Sequence, residues 1–205
     1  MRDRHEKGDS MAEGIKKMKD IKLNVQPVTL AIYHDYVFEG PCRFGKDEQL
    51  TKEFDLMRIA GISQAFEEEV RANLGDVDFV NIMDPIVVKR DETFPVTDEL
   101  LDQMGKDADV TDVYLLKFHP FGIDLALAFA QKYHKPLASV LQCCNDSGMV
   151  AALRPRGHEA YGWIDWGEAI EGMKVLRARK ALASMRVLCV PRNNSNNSLS
   201  ALDSF

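Results

Sequence analysis

Asp112-Val113-Tyr114-Leu115-Leu116-Lys117-Phe118 runs into the turn His119-Pro120-Phe121-Gly122, and then into Ile123-Asp124-Leu125-Ala126-Leu127-Ala128-Phe129-Ala130-Gln131-Lys132-Tyr133. The first run shows almost no polar alternation, which predicts a strand over Val113 to Phe118 covered on both faces. The segment Gly122 to Tyr133 is apolar on most sides, which predicts a helix packed tightly on a sheet. Pro136 to Leu141 predicts the next strand. Strand, turn, helix and strand at this spacing make a βαβ unit, which implies a parallel pair and a right-handed crossover.

The same alternation extends in both directions. Upstream, Val28-Thr29-Leu30-Ala31-Ile32-Tyr33 predicts a buried strand. A polar, turn-rich segment from His34 to Lys46 follows it. Helical periodicity runs from Asp47 to Leu74, with Leu50, Phe54 and Met57 on one face and Phe66, Val70 and Leu74 on another; Gly61 divides the two. Val77 to Ile82 predicts a strand, and Pro85 to Val88 a short extended piece. Thr97 is placed to cap a helix that buries Leu100, Leu101 and Met104. Downstream, Asp146 to Leu153 predicts a short helix and Glu159 to Ile164 a strand. Asp165 is placed to cap a helix over Gly167 to Ser184 whose Ile170, Met173 and Leu176 face inward. The predicted fold class is α/β, a three-layer sandwich with a mainly parallel, Rossmann-like or flavodoxin-like sheet. The expected organisation is a polar tail over 1–27, an α/β domain over 28–185, and the start of a second domain over 186–205. In that last segment a strand over Arg186 to Val190 leads into a polar run of Pro, Asn and Ser.

Composition narrows the class. The 205 residues are 45% hydrophobic and 28% charged, as in a globular domain with a sizeable core. Lys and Arg number 26 against 32 Asp and Glu, a net charge of -6, so no basic excess supports nucleic-acid binding. The basic residues between Lys174 and Arg186 read as the solvated face of a helix. Four cysteines without a CxxC spacing read as reduced thiols and a cytoplasmic setting. No apolar run approaches a membrane span, and Met1 to Asp20 lacks the apolar region of a secretory signal.

In open parallel sheets, ligands bind beyond the carboxyl ends of the strands, at the point where strand order reverses. Three loops therefore matter. The first, after Tyr33, carries His34, Asp35, Tyr36, Glu39 and Arg43, and it is longer than usual for a βα loop. Its carboxylates and arginine could bond sugar hydroxyls while an aromatic ring covers the apolar face; the same residues would also suit a loop that simply closes over the sheet edge. The second, His119 to Gly122, offers His119 as a ligand contact or proton carrier, Phe121 as an apolar wall, and backbone N–H groups at a helix start. A local cap is the competing role of His119. The third, Gln142 to Gly148, holds Cys143 and Cys144, which read as small residues at a strand end. It also holds Asp146, which starts a helix and points to the same rim. His134 and His158 stand in solvent-like contexts and take no role. No P-loop, HExxH or GxSxG motif is present.

One pattern resembles a family. Asp112-Val113, Leu115-Leu116, Gly122, Asp124 and Lys135-Pro136, with the alanine-rich helix between them, are similar to the N-terminal region of L-fucose isomerase-like and L-arabinose isomerase-like sugar isomerases. The similarity extends over Val28 to Val190, through motifs that many βαβ domains share. It implies an N-terminal domain for substrate recognition and oligomer contacts in an aldose–ketose isomerase of carbohydrate metabolism. It also implies a divalent metal, typically manganese, held in later domains, so that this segment by itself is inert. The expected partners are a small sugar and further copies of the chain, with neither nucleic acid nor membrane. The expected contacts are His34, Asp35, Glu39, Arg43, His119, Phe121 and Asp146, with no catalytic residue. Two further readings compete: a free-standing sugar-binding or sensing module of flavodoxin-like or periplasmic-binding-like fold, and an oligomerisation domain.

Overall fold

The computed structural model describes residues 20–33, 51–91, 95–119, 122–142 and 144–185. Six strands alternate with five helices: β1 (Leu23–Tyr33), α1 (Lys52–Leu74), β2 (Val80–Ile82), β3 (Ile86–Asp91), α2 (Asp98–Met104), β4 (Val113–His119), α3 (Ile123–Tyr133), β5 (Leu137–Val140), α4 (Cys144–Leu153), β6 (Ala160–Trp163) and α5 (Trp166–Ala183). Every strand pair is parallel. The order across the sheet is β2-β1-β4-β5-β6, with β3 following β2 on the same side of β1. β2 and β3 thus act as one interrupted strand, and the sheet has the 2-1-3-4-5 order of doubly wound, flavodoxin-like folds. The predicted three-layer α/β sandwich is what forms.

Alternation along the strands divides the core in two. Val28, Leu30, Tyr114, Leu116 and Phe118 point to the face covered by α2, α3 and α4, where Met104, Phe129 and Met149 are fully buried. Leu23, Val25, Val113, Leu115 and Ala138 point to the face covered by α1 and α5, against Val70, Leu74 and Met173. The two amphipathic helices start where predicted. Thr97 accepts a hydrogen bond from the Leu100 N–H (3.4 Å), and Asp165 accepts one from Glu168 (2.8 Å).

Three expectations are corrected. β1 begins at Leu23, inside the segment read as a polar tail, and Ile21 ahead of it is buried as well. The sequence misleads here because Pro27 has no N–H and rarely sits inside a sheet. The backbone of Leu23 and Val25 bonds toward β2, through Phe79 O and Met83 N. By the two-residue alternation of a strand, Pro27 faces the same side. There, Met83, Asp84 and Pro85 stand opposite only Gln26 and Pro27, so the neighbouring edge carries one extra residue. The missing N–H therefore meets a bulge instead of a ladder position. The buried Gln26 side chain fills it, donating to Asp84 O (2.6 Å) and Pro27 O (3.2 Å).

Second, Gly61 does not divide the first helix: α1 is continuous, with a single buried stripe of Ile59, Phe66, Val70 and Leu74. Met57, grouped with Leu50 and Phe54 on one apolar face, is 61% exposed. Third, the basic residues of α5 are not simply a solvated face. Arg177 donates to Ile21 O (2.8 Å), while Lys180 donates to Lys22 O (2.8 Å) and Asp112 (2.6 Å). They fasten α5 to the start of β1. The strand expected over Arg186 to Val190 lies outside the described residues. Among the described residues, no helix is long and apolar enough to cross a membrane.

Candidate functional site

Strand order reverses between β1 and β4, because the chain leaves β1 for one side of the sheet and β4 for the other. The carboxyl ends of these two strands therefore mark the place where doubly wound sheets form their ligand crevice. β1 ends at Tyr33 and β4 at His119, and His119 stands level with Ala31 in the register. Since Val113 and Leu115 face α1 and α5, strand alternation turns Lys117 and His119 to that same face.

His119 is half-buried. Its imidazole has no hydrogen-bond partner among the described residues. Burial holds its proton affinity below the ordinary histidine value, and the cationic Arg58 and Lys117 act in the same direction against a smaller opposing effect of Asp55. At neutral pH the ring is therefore uncharged, with one nitrogen able to donate and the other to accept. Lys52 lies 5.2 Å from the centre of the Tyr33 ring, a cation–π contact at the mouth of the crevice.

A polar chain runs beside His119. The Lys117 ammonium donates to the Gln142 side-chain oxygen. The Gln142 amide donates in turn to Glu69 (2.8 Å), which also accepts from the Trp166 indole (2.9 Å). An amide thus joins a cation to a carboxylate, and four elements (α1, β4, the β5–α4 turn and α5) are stitched together above the sheet. Across the sheet, Arg90 at the end of β3 grips Asp124 in the first turn of α3 through two hydrogen bonds of 2.6 and 3.3 Å. The guanidinium is 9% exposed and the carboxylate 56%, so the pair presents its oxygen end to solvent. Gly122, just before α3, adopts φ 148°, and a Cβ there would lie 3.2 Å from the Cβ of Leu30. The backbone after β4 therefore passes against β1 where only glycine fits.

The expected contact residues divide accordingly. His119 stands at the crevice. Asp146 is buried in the first turn of α4 and accepts from the Gln142 backbone N–H (2.9 Å), so it closes the turn after β5. His34, Asp35, Glu39, Arg43 and Phe121 lie outside the described residues, as does Cys143. Cys144 is a free, exposed thiol at the start of α4. The residues that sequence reasoning passed over are Lys117, Gln142, Glu69 and Trp166 on one face, with Arg90 and Asp124 on the other. Lys117 carried a signal: it is the one charge inside an otherwise apolar strand run. Glu69 and Trp166 carried none, because 97 positions separate them.

Among the described residues, no three His, Cys, Asp or Glu side chains come together as metal ligands would. An open apolar hollow of about 320 Å³ lies between α4 and β6, lined by Leu141, Val150, Ala151, Pro155 and Gly162. It lies beside the edge strand, away from the reversal of strand order, and Arg154 on its wall is held by Ala160 O (2.8 Å). The crevice, with its neutral imidazole and ammonium, is the better-equipped site. No family model, no curated protein and no solved structure matches this chain.

Proposed function

We propose that this domain recognises a small polyhydroxylated ligand, a sugar or polyol, at the β1/β4 switch point, in the manner of the N-terminal recognition domain of a sugar isomerase-like protein. The observation that carries the reading is His119: an uncharged, half-buried imidazole with no side-chain partner among the described residues, at the position where doubly wound sheets bind their ligands. A neutral imidazole both donates and accepts, as a sugar hydroxyl does. The Tyr33 ring adds an apolar surface, and the Asp124 carboxylate an acceptor on the other side of the sheet. In this reading the domain binds and orients, and a divalent metal with its proton-transfer chemistry belongs to other domains. A free-standing binding module is the second reading. It is favoured by the closure of both core layers between Ile21 and Ala181.

Titration calorimetry with a panel of aldoses, ketoses and polyols, joined to amide chemical-shift mapping, tests the site. Shifts are expected at Tyr33, at Lys117 to His119 and at Gly122 to Asp124, with a loss of at least tenfold in affinity for His119→Ala. Shifts confined to the α4–β6 hollow, or a wild-type chain that titrates with none of the panel, would remove the proposal.

A further inference from the structure

His134 and His158, which looked unremarkable in the sequence, come together at the amino edge of the sheet, opposite the crevice. Their ring centres are 6.4 Å apart and their planes differ by 26°. Both are set on rigid backbone. His134 caps α3 in the left-handed conformation (φ 52°, ψ 35°), its N–H donating to Ala130 O (3.0 Å). His158 follows the short 3-10 turn Arg154–Arg156 and the left-handed Gly157, its N–H donating to Leu153 O (3.2 Å). Each ring therefore hangs at the carboxyl end of a helical segment, where carbonyl oxygens and the helix dipole favour positive charge.

The charged neighbours are engaged elsewhere. Lys135 donates to Thr111 O, Arg156 to Ala152 O, and Glu159 accepts from Tyr161 and Arg179. Neither imidazole has a hydrogen-bond partner among the described residues, so their ring nitrogens are the free ligating atoms at this edge. An ion held by a ring nitrogen at about 2.0–2.1 Å lies roughly 3.2 Å from the ring centre, so two rings sharing one ion stand roughly 5.2 Å apart at a tetrahedral angle and roughly 6.4 Å apart when they bind it from opposite sides. The observed separation matches the second arrangement.

We propose that His134 and His158 form a two-imidazole site for a divalent transition ion of the nickel or copper class, whose square-planar or tetragonal geometry offers opposite positions, with solvent filling the rest. Nitrogen ligands select this class over magnesium or calcium, which require oxygen. The site is independent of the sugar-binding crevice.

The test uses the full chain, reduced and without a polyhistidine tag, titrated with NiCl₂ by calorimetry. Saturable uptake of one equivalent is expected, and either His134→Asn or His158→Gln should weaken it at least tenfold; asparagine is chosen because it tolerates the left-handed backbone. In the wild-type chain, one equivalent of Ni²⁺ should broaden the ring-proton signals of both histidines, a readout that needs no variant. Cys144→Ser should bind as the wild type does. Uptake within twofold of wild type in either histidine variant, broadening of only one ring, or loss of binding in Cys144→Ser would each overturn the site.

Discussion

A histidine whose proton affinity is lowered by folding links stability to pH, and His119 is such a group. The unfolded chain takes up the proton near the ordinary value, about 6.5, and the folded chain only at lower pH. Stability from the neutral ring is thus fully present above that value and is lost as pH falls below it. Urea midpoints of wild type and His119→Gln, followed downward from neutral pH, should differ in slope below about pH 6.5; parallel curves would show that burial does not perturb the ring. Tyr114 makes the opposite kind of point. It is fully buried, its ring meets Phe129 edge-on at 4.7 Å, and burial pushes its hydroxyl up to about 12. Thr111 is within reach of that hydroxyl, but the Thr111 hydroxyl donates to Asp107 O (2.7 Å), and among the described residues the tyrosine makes no hydrogen bond of good geometry. Tyr114→Phe keeps the ring contact and removes the unsatisfied group, so the variant should be as stable as wild type or more so, by about 1 kcal/mol. A clear loss of stability would reveal a partner for the hydroxyl.

At the level of elements, α1 shows what local reading can and cannot reach. Its periodic apolar residues placed the helix, but Gly61 suggested a break. The helix runs through because Ile59, Phe66, Val70 and Leu74 bury a single stripe, and tertiary packing outweighs one weak residue. A Cβ at Gly61 would meet nothing within 4 Å. Gly61→Ala should therefore raise stability by about 0.5–1 kcal/mol, read as a shift in urea midpoint with unchanged slope. The caps of α2 and α5 were legible, since Thr97 and Asp165 act within three residues of themselves; the caps of α1 at Thr51 and of α3 at His134 were not foreseen. The start of β1 was not, because Pro27 is tolerated only through a bulge on a strand some sixty positions away. The same distinction holds for the candidate site. His119 was visible as the end of an apolar run. The chain from Lys117 through Gln142 to Glu69 was hidden, since it depends on which helices the topology lays side by side.

For the molecule as a whole, the strand order fixes where the two candidate sites lie: the proposed ligand crevice at the carboxyl ends, the paired imidazoles at the amino ends. The amino edge is also where Lys180 and Arg177 hold the backbone at Lys22 and Ile21. Lys180→Met should speed amide exchange at the start of β1 and leave the distal end of the strand protected; uniform protection in the variant would show the tether to be dispensable.

The bulge beside Pro27 has a consequence for life among other chains. A sheet edge with a row of free N–H and C=O groups is a template for another strand. On this side the outer strand is split into pieces of three and six residues, with Pro85 between them and the Val87 carbonyl occupied by Gln103 (3.1 Å). On the other side, β6 offers only four residues. The irregularity that lets a proline sit in the central strand also breaks the outer edge, so that among the described residues an approaching chain meets no long ladder on which to build an aggregate.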